Sequence, residues 1–271
     1  MSKVRCAVLG YDTIKKYSLS PKLQNSFLKQ TKIKGKYIAI GTDNLQKTIT
    51  KLNKKRYVGV NLTIPYKVDV LPLLDNIDPI AKKIGAVNTV AFREGKLYGY
   101  NTDAFGFFNY LKLRCSIAKI KKVLIIGAGG ASRAVVYALT SNKITDVTIV
   151  NRTYAKALAL AKEFKCSAIV FEDLNKNINK YDLIVNCTPL GLENTQPITV
   201  TFEKCKSTAV VYDLVYKPLM TPFLQNAKKH KLTTIDGLGM LAYQAAKAFE
   251  IWFGVMPEVN EETYGALGFT K

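Results

Sequence analysis

The sequence predicts an α/β fold of two domains, and three observations predict it. Apolar strand-like runs alternate with helix-like runs along nearly the whole chain, the pattern of parallel strands covered by helices. The alternation starts afresh near residue 122, so there are two series rather than one. The second series opens on a glycine turn between a strand and a helix, "VLIIGAGGASRAV". A chain of 271 residues is long enough for two ordinary domains. A hydrophobic content of 48% with 22% charged residues is a globular composition.

In the first series Val4–Leu9 reads as a strand and Ser20–Gln30 as a helix. Lys36–Gly41 is a strand, Asn44–Asn53 a helix and Tyr57–Thr63 a strand, with a short helix after Pro65. "GAVNTVAFREGKLYGYNTD" reads as two strands about a Glu94-Gly95 turn, followed by helix Ala104–Leu113. In the second series strand Val123–Ile126 meets helix Ala131–Leu139, and strand Val147–Val150 meets helix Tyr154–Phe164. Strands Leu183–Asn186 and Ala209–Asp213 follow, then helix Thr221–Lys229, the apolar stretch "MLAYQAAKAFEIWFG" and a short helix near Glu261–Leu267. Two series joined by a helix near residues 104–114 imply two domains with a cleft between them.

Composition removes several classes of function. No run of 18 apolar residues exists, so no membrane span is expected. "MSKVRCAVLGYD" enters a strand pattern directly and is too short for a secretory signal, which makes the cytoplasm the expected location. Cys6, Cys115, Cys166, Cys187 and Cys205 form no C-x-x-C pair and read as small buried hydrophobes. His230, the one histidine, sits at a helix end, so neither a histidine metal cluster nor a Ser-His-Asp site is expected. Acid–base chemistry then falls to Lys, Asp, Glu, Tyr or Cys. The formal charge of +20 comes from lysines dispersed over the whole length with no basic block. That favours anionic small molecules by steering and gives no nucleic-acid motif.

In the glycine turn, Gly127 permits the tight turn, and Gly129 and Gly130 let the backbone approach a pyrophosphate stabilised by the helix N-terminus. Ser132 holds the third glycine position. A strand before and a helix after make this a Rossmann-type dinucleotide site. The next strand ends in Asn151, Arg152 and Thr153, with Lys156 one turn into the helix. NAD sites commonly place an acid there, and a cationic, acid-free strand end suits the 2′-phosphate of NADP.

Four polar stretches sit at strand ends or helix entries, where open α/β sheets bind ligands. "YSLSP" supplies Ser18 and Ser20, "NLTIPYK" supplies Asn61, Thr63 and Lys67, "GAVNT" supplies Asn88 and Thr89, and "GYNTD" supplies Asp103. Taken singly each has a plainer reading. Lys67 is one of 34 lysines, Ser18 or Ser20 could cap a helix, Asp103 could cap the helix at Ala104, and Gln244 could be a tolerated polar position.

With these stretches in place the chain resembles the shikimate/quinate dehydrogenase family, over nearly its full length. The pieces that match, in order, are "SLSP", "NLTIPYK", "IGAVNTV", "GYNTDAFGF", "GAGGASRA", "NRTYAKA", "NCTPLG", "YDLVYKPLMTPFL" and "DGLGMLAYQAA". The resemblance implies NADPH-dependent reduction of 3-dehydroshikimate to shikimate, within aromatic amino-acid biosynthesis. It implies a substrate domain of residues 1–104 plus 239–271, to which the C-terminal helices return, and a Rossmann domain of residues 105–238. It implies that Ser18 and Ser20 hold a carboxylate, that Thr63, Asn88, Asp103 and Gln244 bind ring hydroxyls with Asn61 and Tyr216 nearby, and that Lys67 and Asp103 are the catalytic pair. Around the cofactor it places Gly127, Ala128, Gly129, Gly130, Ala131, Asn151, Arg152, Thr153, Lys156, Thr188, Leu214 and Gly237. The implied partner is a small-molecule substrate, with no metal, nucleic acid or membrane, in a monomer or homodimer. Alternatives are a quinate/shikimate enzyme that uses NAD, and a non-catalytic relative. The chain departs from the family at Tyr17, at Gln24-Asn25 and in the loop "GYDTI", all near the carboxylate end.

Overall fold

The computed structural model describes residues 3–192 and 195–269. The chain divides into two compact units, one formed by Phe107–Met240 and the other by the residues on either side of that span. Both boundaries fall inside helices.

The first unit contains β1 (Val4–Gly10), α1 (Ile14–Tyr17), α2 (Ser20–Gln30), β2 (Gly35–Gly41), α3 (Leu45–Lys54) and β3 (Gly59–Leu62). It continues through α4 (Tyr66–Asp69), β4 (Asn76–Ile77), α5 (Pro79–Ile84), β5 (Thr89–Arg93), β6 (Lys96–Tyr100) and the start of α6 (Asp103–Arg114). Its sheet has the order β2-β1-β3-β5-β6-β4. β1 is apolar on both faces and buried over its last five residues, as a central strand with helices on each side must be. β2 lies on one flank of β1 and β3 on the other, both parallel to it. The sheet is mixed, because β5 runs antiparallel to β3 and to β6. The β5–β6 turn takes left-handed backbone at Glu94 (φ 51°) and Gly95 (φ 80°), the two-residue turn whose twist suits a hairpin.

Local chemistry sets the helices. Asn44 caps α3 by accepting from the Lys47 amide at 2.9 Å, and Leu45, Ile49 and Leu52 then repeat on one buried face. α5 was not expected from the sequence, although its punctuation is plain. Asp78 accepts from the amides of Ile80 and Ala81, Pro79 occupies the first turn, and Gly85 closes the helix at φ 67°. β3 is shorter than the expected Tyr57–Thr63, because the Thr63 carbonyl turns aside to accept from the Tyr66 amide.

The second unit contains the rest of α6, then β7 (Lys122–Ile126), α7 (Gly130–Ser141), β8 (Asp146–Val150), α8 (Tyr154–Phe164), β9 (Ser167–Ile169) and α9 (Leu174–Asn177). β10 (Leu183–Asn186), β11 (Val210–Asp213), α10 (Pro222–Lys229), β12 (Thr233–Ile235) and the start of α11 (Leu238–Phe253) follow. All strands are parallel, in the order β12-β11-β10-β7-β8-β9. The order reverses at β7, with β8 on one side and β10 on the other. The crevice outside the strand ends at such a reversal is where these sheets bind nucleotides. β9 and β12 escaped the sequence reading; three residues are too few to show an alternation.

The larger part of α11, together with α12 (Glu261–Ala266), packs on the first unit. Phe249 meets Phe27 edge-on at 6.0 Å, Gln24 donates to the Ala245 carbonyl at 2.9 Å, and Trp252 donates to the Val90 carbonyl at 3.1 Å. The Trp252 indole lies directly over Gly59, where an added Cβ would come within 2.2 Å of Nε1 and 2.3 Å of the Val90 carbonyl. Gly59→Ala is therefore expected to destabilise the protein by about 2 kcal/mol through overpacking. Thermal melting followed by fluorescence of Trp252, the one tryptophan, reads this directly; an unchanged midpoint would show that the indole moves aside without cost. No helix among the described residues is long and apolar enough to cross a membrane.

Candidate active site

In the first unit, strand ends converge on one buried hydrogen-bond network. β3 carries Asn61 and, just past its end, Thr63; the turn across the cis Ile64–Pro65 bond leads into α4 and Lys67. The Lys67 carbonyl accepts from the Val87 amide at 2.7 Å, which ties the lysine's backbone to the segment that carries Asn88. α6 begins at Asp103. Its carboxylate does not cap the helix; Asn101 does, with Oδ1 accepting from the amides of Asp103 and Ala104. The Asp103 side chain is thereby free to face the network.

Lys67 Nζ donates to Asp103 Oδ2 at 2.6 Å, and the two side chains are 15% and 6% exposed. Asn88 Nδ2 lies 2.8 Å from Asp103 Oδ1, 2.9 Å from Thr102 Oγ1 and 3.3 Å from Gln244 Oε1. Asn88 is oriented from behind, because its Oδ1 accepts from the Thr102 amide at 2.8 Å and from Thr89 Oγ1 at 3.1 Å. Asn61 joins through Nδ2, which donates to Thr89 Oγ1 at 2.9 Å, while its Oδ1 accepts from Tyr37 at 2.7 Å. Each Asp103 oxygen has a donor, one charged and one neutral, which offsets part of the cost of burying the pair.

The network thus unites Lys67, Asp103, Asn88, Asn61 and Gln244. Thr63 is half-buried at the strand end beside it, with its methyl against Gly10. Ser18 and Ser20 lie at the entry of α2, where Ser18 Oγ accepts from the Ser20 amide at 3.3 Å. No hydrogen bond among the described residues connects either serine to the network. Tyr216 belongs to the second unit, half-buried in the loop after β11. Thr102 and Asn101 were not singled out from the sequence. Their signal is the "YNTD" punctuation, an Asn two residues before the first residue of a helix.

In the second unit Gly127 follows β7 at φ 115°, a left-handed backbone that favours glycine. Gly129 is the residue before α7, and a Cβ there would meet only open space; Gly130 opens the helix. Ala128 and Ala131 flank them, half-buried. These are features a pyrophosphate cradle needs: a helix N-terminus with no side-chain cap and open space at the residue that precedes it. At the end of β8, Asn151 Nδ2 donates to the Thr153 carbonyl at 2.9 Å, and Arg152, Thr153 and Lys156 are exposed. Thr188 follows β10, with its hydroxyl donating to Asn186 Oδ1 at 2.7 Å. Leu214 follows β11, its amide donating to the Asn186 carbonyl. Gly237 is buried against it, where a Cβ would come within 2.2 Å of the Leu214 carbonyl. The residues present therefore fit a phosphorylated dinucleotide along the ends of β7, β8, β10, β11 and β12.

Three stretches of the chain match known families. Residues 8–90 match the shikimate dehydrogenase substrate binding domain, residues 112–241 the shikimate / quinate 5-dehydrogenase family, and residues 237–261 the shikimate 5′-dehydrogenase C-terminal domain. A shikimate dehydrogenase (NADP(+)) of Methanococcus maripaludis is 41% identical over 253 residues, 90% of each chain. The crystal structure of the shikimate 5-dehydrogenase of Thermus thermophilus in complex with NADP(H) and shikimate is 38% identical, with a TM-score of 0.86 over 98% of this chain and 97% of that one. The quinate dehydrogenase of Corynebacterium glutamicum in complex with NAD is 27% identical, with a TM-score of 0.90 over 98% of this chain and 99% of that one.

Proposed function

We propose that this chain, which belongs to the shikimate dehydrogenase family, catalyses the reversible NADPH-dependent reduction of 3-dehydroshikimate to shikimate, a step toward the aromatic amino acids. The observation that carries the proposal is the buried Lys67–Asp103 pair at 2.6 Å, held by Asn88 and set beside Gln244 in one unit. The other unit offers the glycine cradle and a strand end free of acids.

Bound NADPH supplies the hydride. Reduction of a ketone puts negative charge on its oxygen, and the oxygen must gain a proton to become the alcohol. Lys67 Nζ is a proton donor and a positive charge in one group. Asp103, itself held by the Asn88 Nδ2 donor, keeps the lysine in place and supplies carboxylate oxygens that can accept from the hydroxyl beside the reacting carbon. Gln244 and Thr63 extend the polar lining for the remaining ring hydroxyls. Ser18 and Ser20, at the entry of α2, suit the substrate carboxylate, which gains from the helix N-terminus. No histidine is needed. The substrate carries a carboxylate, which agrees with the net charge of +20.

On the cofactor, the absence of an acid at the end of β8 leaves Arg152 and Lys156 to take the 2′-phosphate. Arg152→Ala is expected to raise KM for NADPH roughly 30-fold, the worth of about 2 kcal/mol of charge-assisted bonding, with KM for NADH unchanged. An unaltered NADPH/NADH preference would remove Arg152 from that role. Initial rates with shikimate and quinate, each with NADP and NAD, test the whole reading. Highest kcat/KM with shikimate and NADP supports it; highest kcat/KM with quinate and NAD replaces it with the quinate branch.

A further inference from the structure

We infer that Asp213 is a positioning residue for cofactor binding, whose buried carboxylate fixes the three segments that carry Thr188, Leu214 and the entry of α10. The inference rests on the dinucleotide reading of the second unit. Asp213 is the last residue of β11 and is 0% exposed, as are Asn186 and Thr221. Its Oδ1 accepts from Asn186 Nδ2 at 2.9 Å and from the Val215 amide at 3.0 Å. Its Oδ2 accepts from Thr221 Oγ1 at 2.6 Å. All three donors are neutral, and no lysine or arginine among the described residues pairs with this carboxylate.

An ionised carboxylate only accepts, so it dictates the direction of every bond around it. Asn186 must turn its Nδ2 toward Asp213, and toward the Leu190 carbonyl at 3.1 Å. Its Oδ1 then faces Thr188, accepting from both the amide at 3.0 Å and the hydroxyl at 2.7 Å. The Thr188 hydroxyl in turn accepts from the Leu190 amide at 3.2 Å. That leaves the Thr188 methyl toward the glycine turn, 3.0 Å from where a Cβ on Gly127 would lie. Val215, held by Oδ1, lies between Leu214 and Tyr216, and its carbonyl accepts from the Gly237 amide at 3.2 Å. Thr221 caps α10 by accepting from the Leu224 amide.

The dinucleotide spans the crevice where the strand order reverses. Arg152 and Lys156 put the ribose phosphate at β8, so the other half of the cofactor lies along the ends of β10, β11 and β12. Asp213 is the charged group in the set of bonds that ties the segments after β10 and β11 to the entry of α10. An unpaired buried charge costs stability, and a hydrophobic residue here would cost less. Its place in the fold is explained by what it holds.

The test is equilibrium binding of NADPH and of the fragment 2′,5′-ADP to the full chain and its variants. Asp213→Asn keeps the shape and removes the accept-only character. It is expected to weaken NADPH about 10-fold and to change 2′,5′-ADP less than twofold, because the fragment reaches the end of β8 and the glycine turn but not the ends of β10, β11 and β12. Thr221→Ala is expected to weaken NADPH about threefold, with Thr221→Ser restoring it; this pair decides the matter if Asp213→Asn does not fold. A folded Asp213→Asn that binds NADPH within twofold of the wild type overturns the role of Asp213. Equal loss of both ligands also overturns it, since that is general loosening. A wild-type chain that binds no NADPH overturns the dinucleotide reading itself, and this inference with it.

Discussion

Lys67→Ala is expected to lower kcat about 1,000-fold while KM for shikimate changes less than fivefold. The magnitude follows from two effects that one group provides. Proton transfer by a positioned side chain is worth about 10²–10⁴-fold, and a fixed charge beside a developing alkoxide adds electrostatic stabilisation of similar size that overlaps with it. Both act on the transition state, so the loss belongs in kcat. On the proposed assignment, substrate affinity is carried mainly by groups that remain: Asn88, Asp103, Gln244, Thr63 and the two serines. A complication is that Lys67 and Asp103 form a buried pair, with side chains 15% and 6% exposed. Removing one partner leaves a buried charge, which can cost stability by about 3–5 kcal/mol. Lys67→Met retains the packing of the stem, and rates for both variants are to be normalised to the fraction that binds NADPH. Near-wild-type turnover in either would sink the catalytic assignment.

The candidate site was legible in the sequence because its residues sit in short motifs at strand ends. Asn61, Thr63 and Lys67 fall within seven residues, and Asn88 and Asp103 stand at the two ends of a hairpin. Strand pairing then brings them together: β3 pairs with β5, and Asn61 lies opposite Thr89. Gln244 needed the resemblance, since its helix is remote in sequence and nothing in an apolar helix says what it packs on. The mixed character of the first sheet was readable only in part. A hairpin turn at Glu94-Gly95 was clear, but that β5 inserts beside β3 depends on long-range pairing that alternation does not encode. The supporting groups were hardly readable; only the Asn of "YNTD" before a helix gave a signal. Asn101 and Thr102 matter for where their amides and hydroxyls point, and Asp213 looked like the polar end of an ordinary strand.

Asp213 also makes a prediction about stability, with a sign opposite to that of an ordinary paired carboxylate. Burial, set against bonds from Thr221, Val215 and Asn186, pushes its carboxyl up to about 6 from an ordinary value of 3.8. A raised carboxyl means that the folded state holds more protons than the unfolded state between those two values. Stability then falls as pH rises through that window and is flat above it. The size is on the order of 3 kcal/mol for a shift of this extent. Asp182 works the other way. Desolvation opposes its ionisation, but bonds from Lys206 and the amides of Lys122 and Lys121 hold it below its ordinary value, so its contribution is lost as pH falls. The two would mask each other in a single titration of the wild type. Asn at position 213 does not titrate, so the difference in unfolding free energy between Asp213→Asn and wild type isolates the group. That difference is expected to move in favour of the variant by about 3 kcal/mol from pH 3.5 to pH 7, read from urea midpoints by circular dichroism. Parallel curves would mean that the carboxyl titrates alike in both states, and that it is far less confined than the geometry implies. If the gap opens as expected while NADPH binding weakens in the same variant, the chain retains at this position a charge that costs the fold and serves the cofactor, the trade met at functional sites.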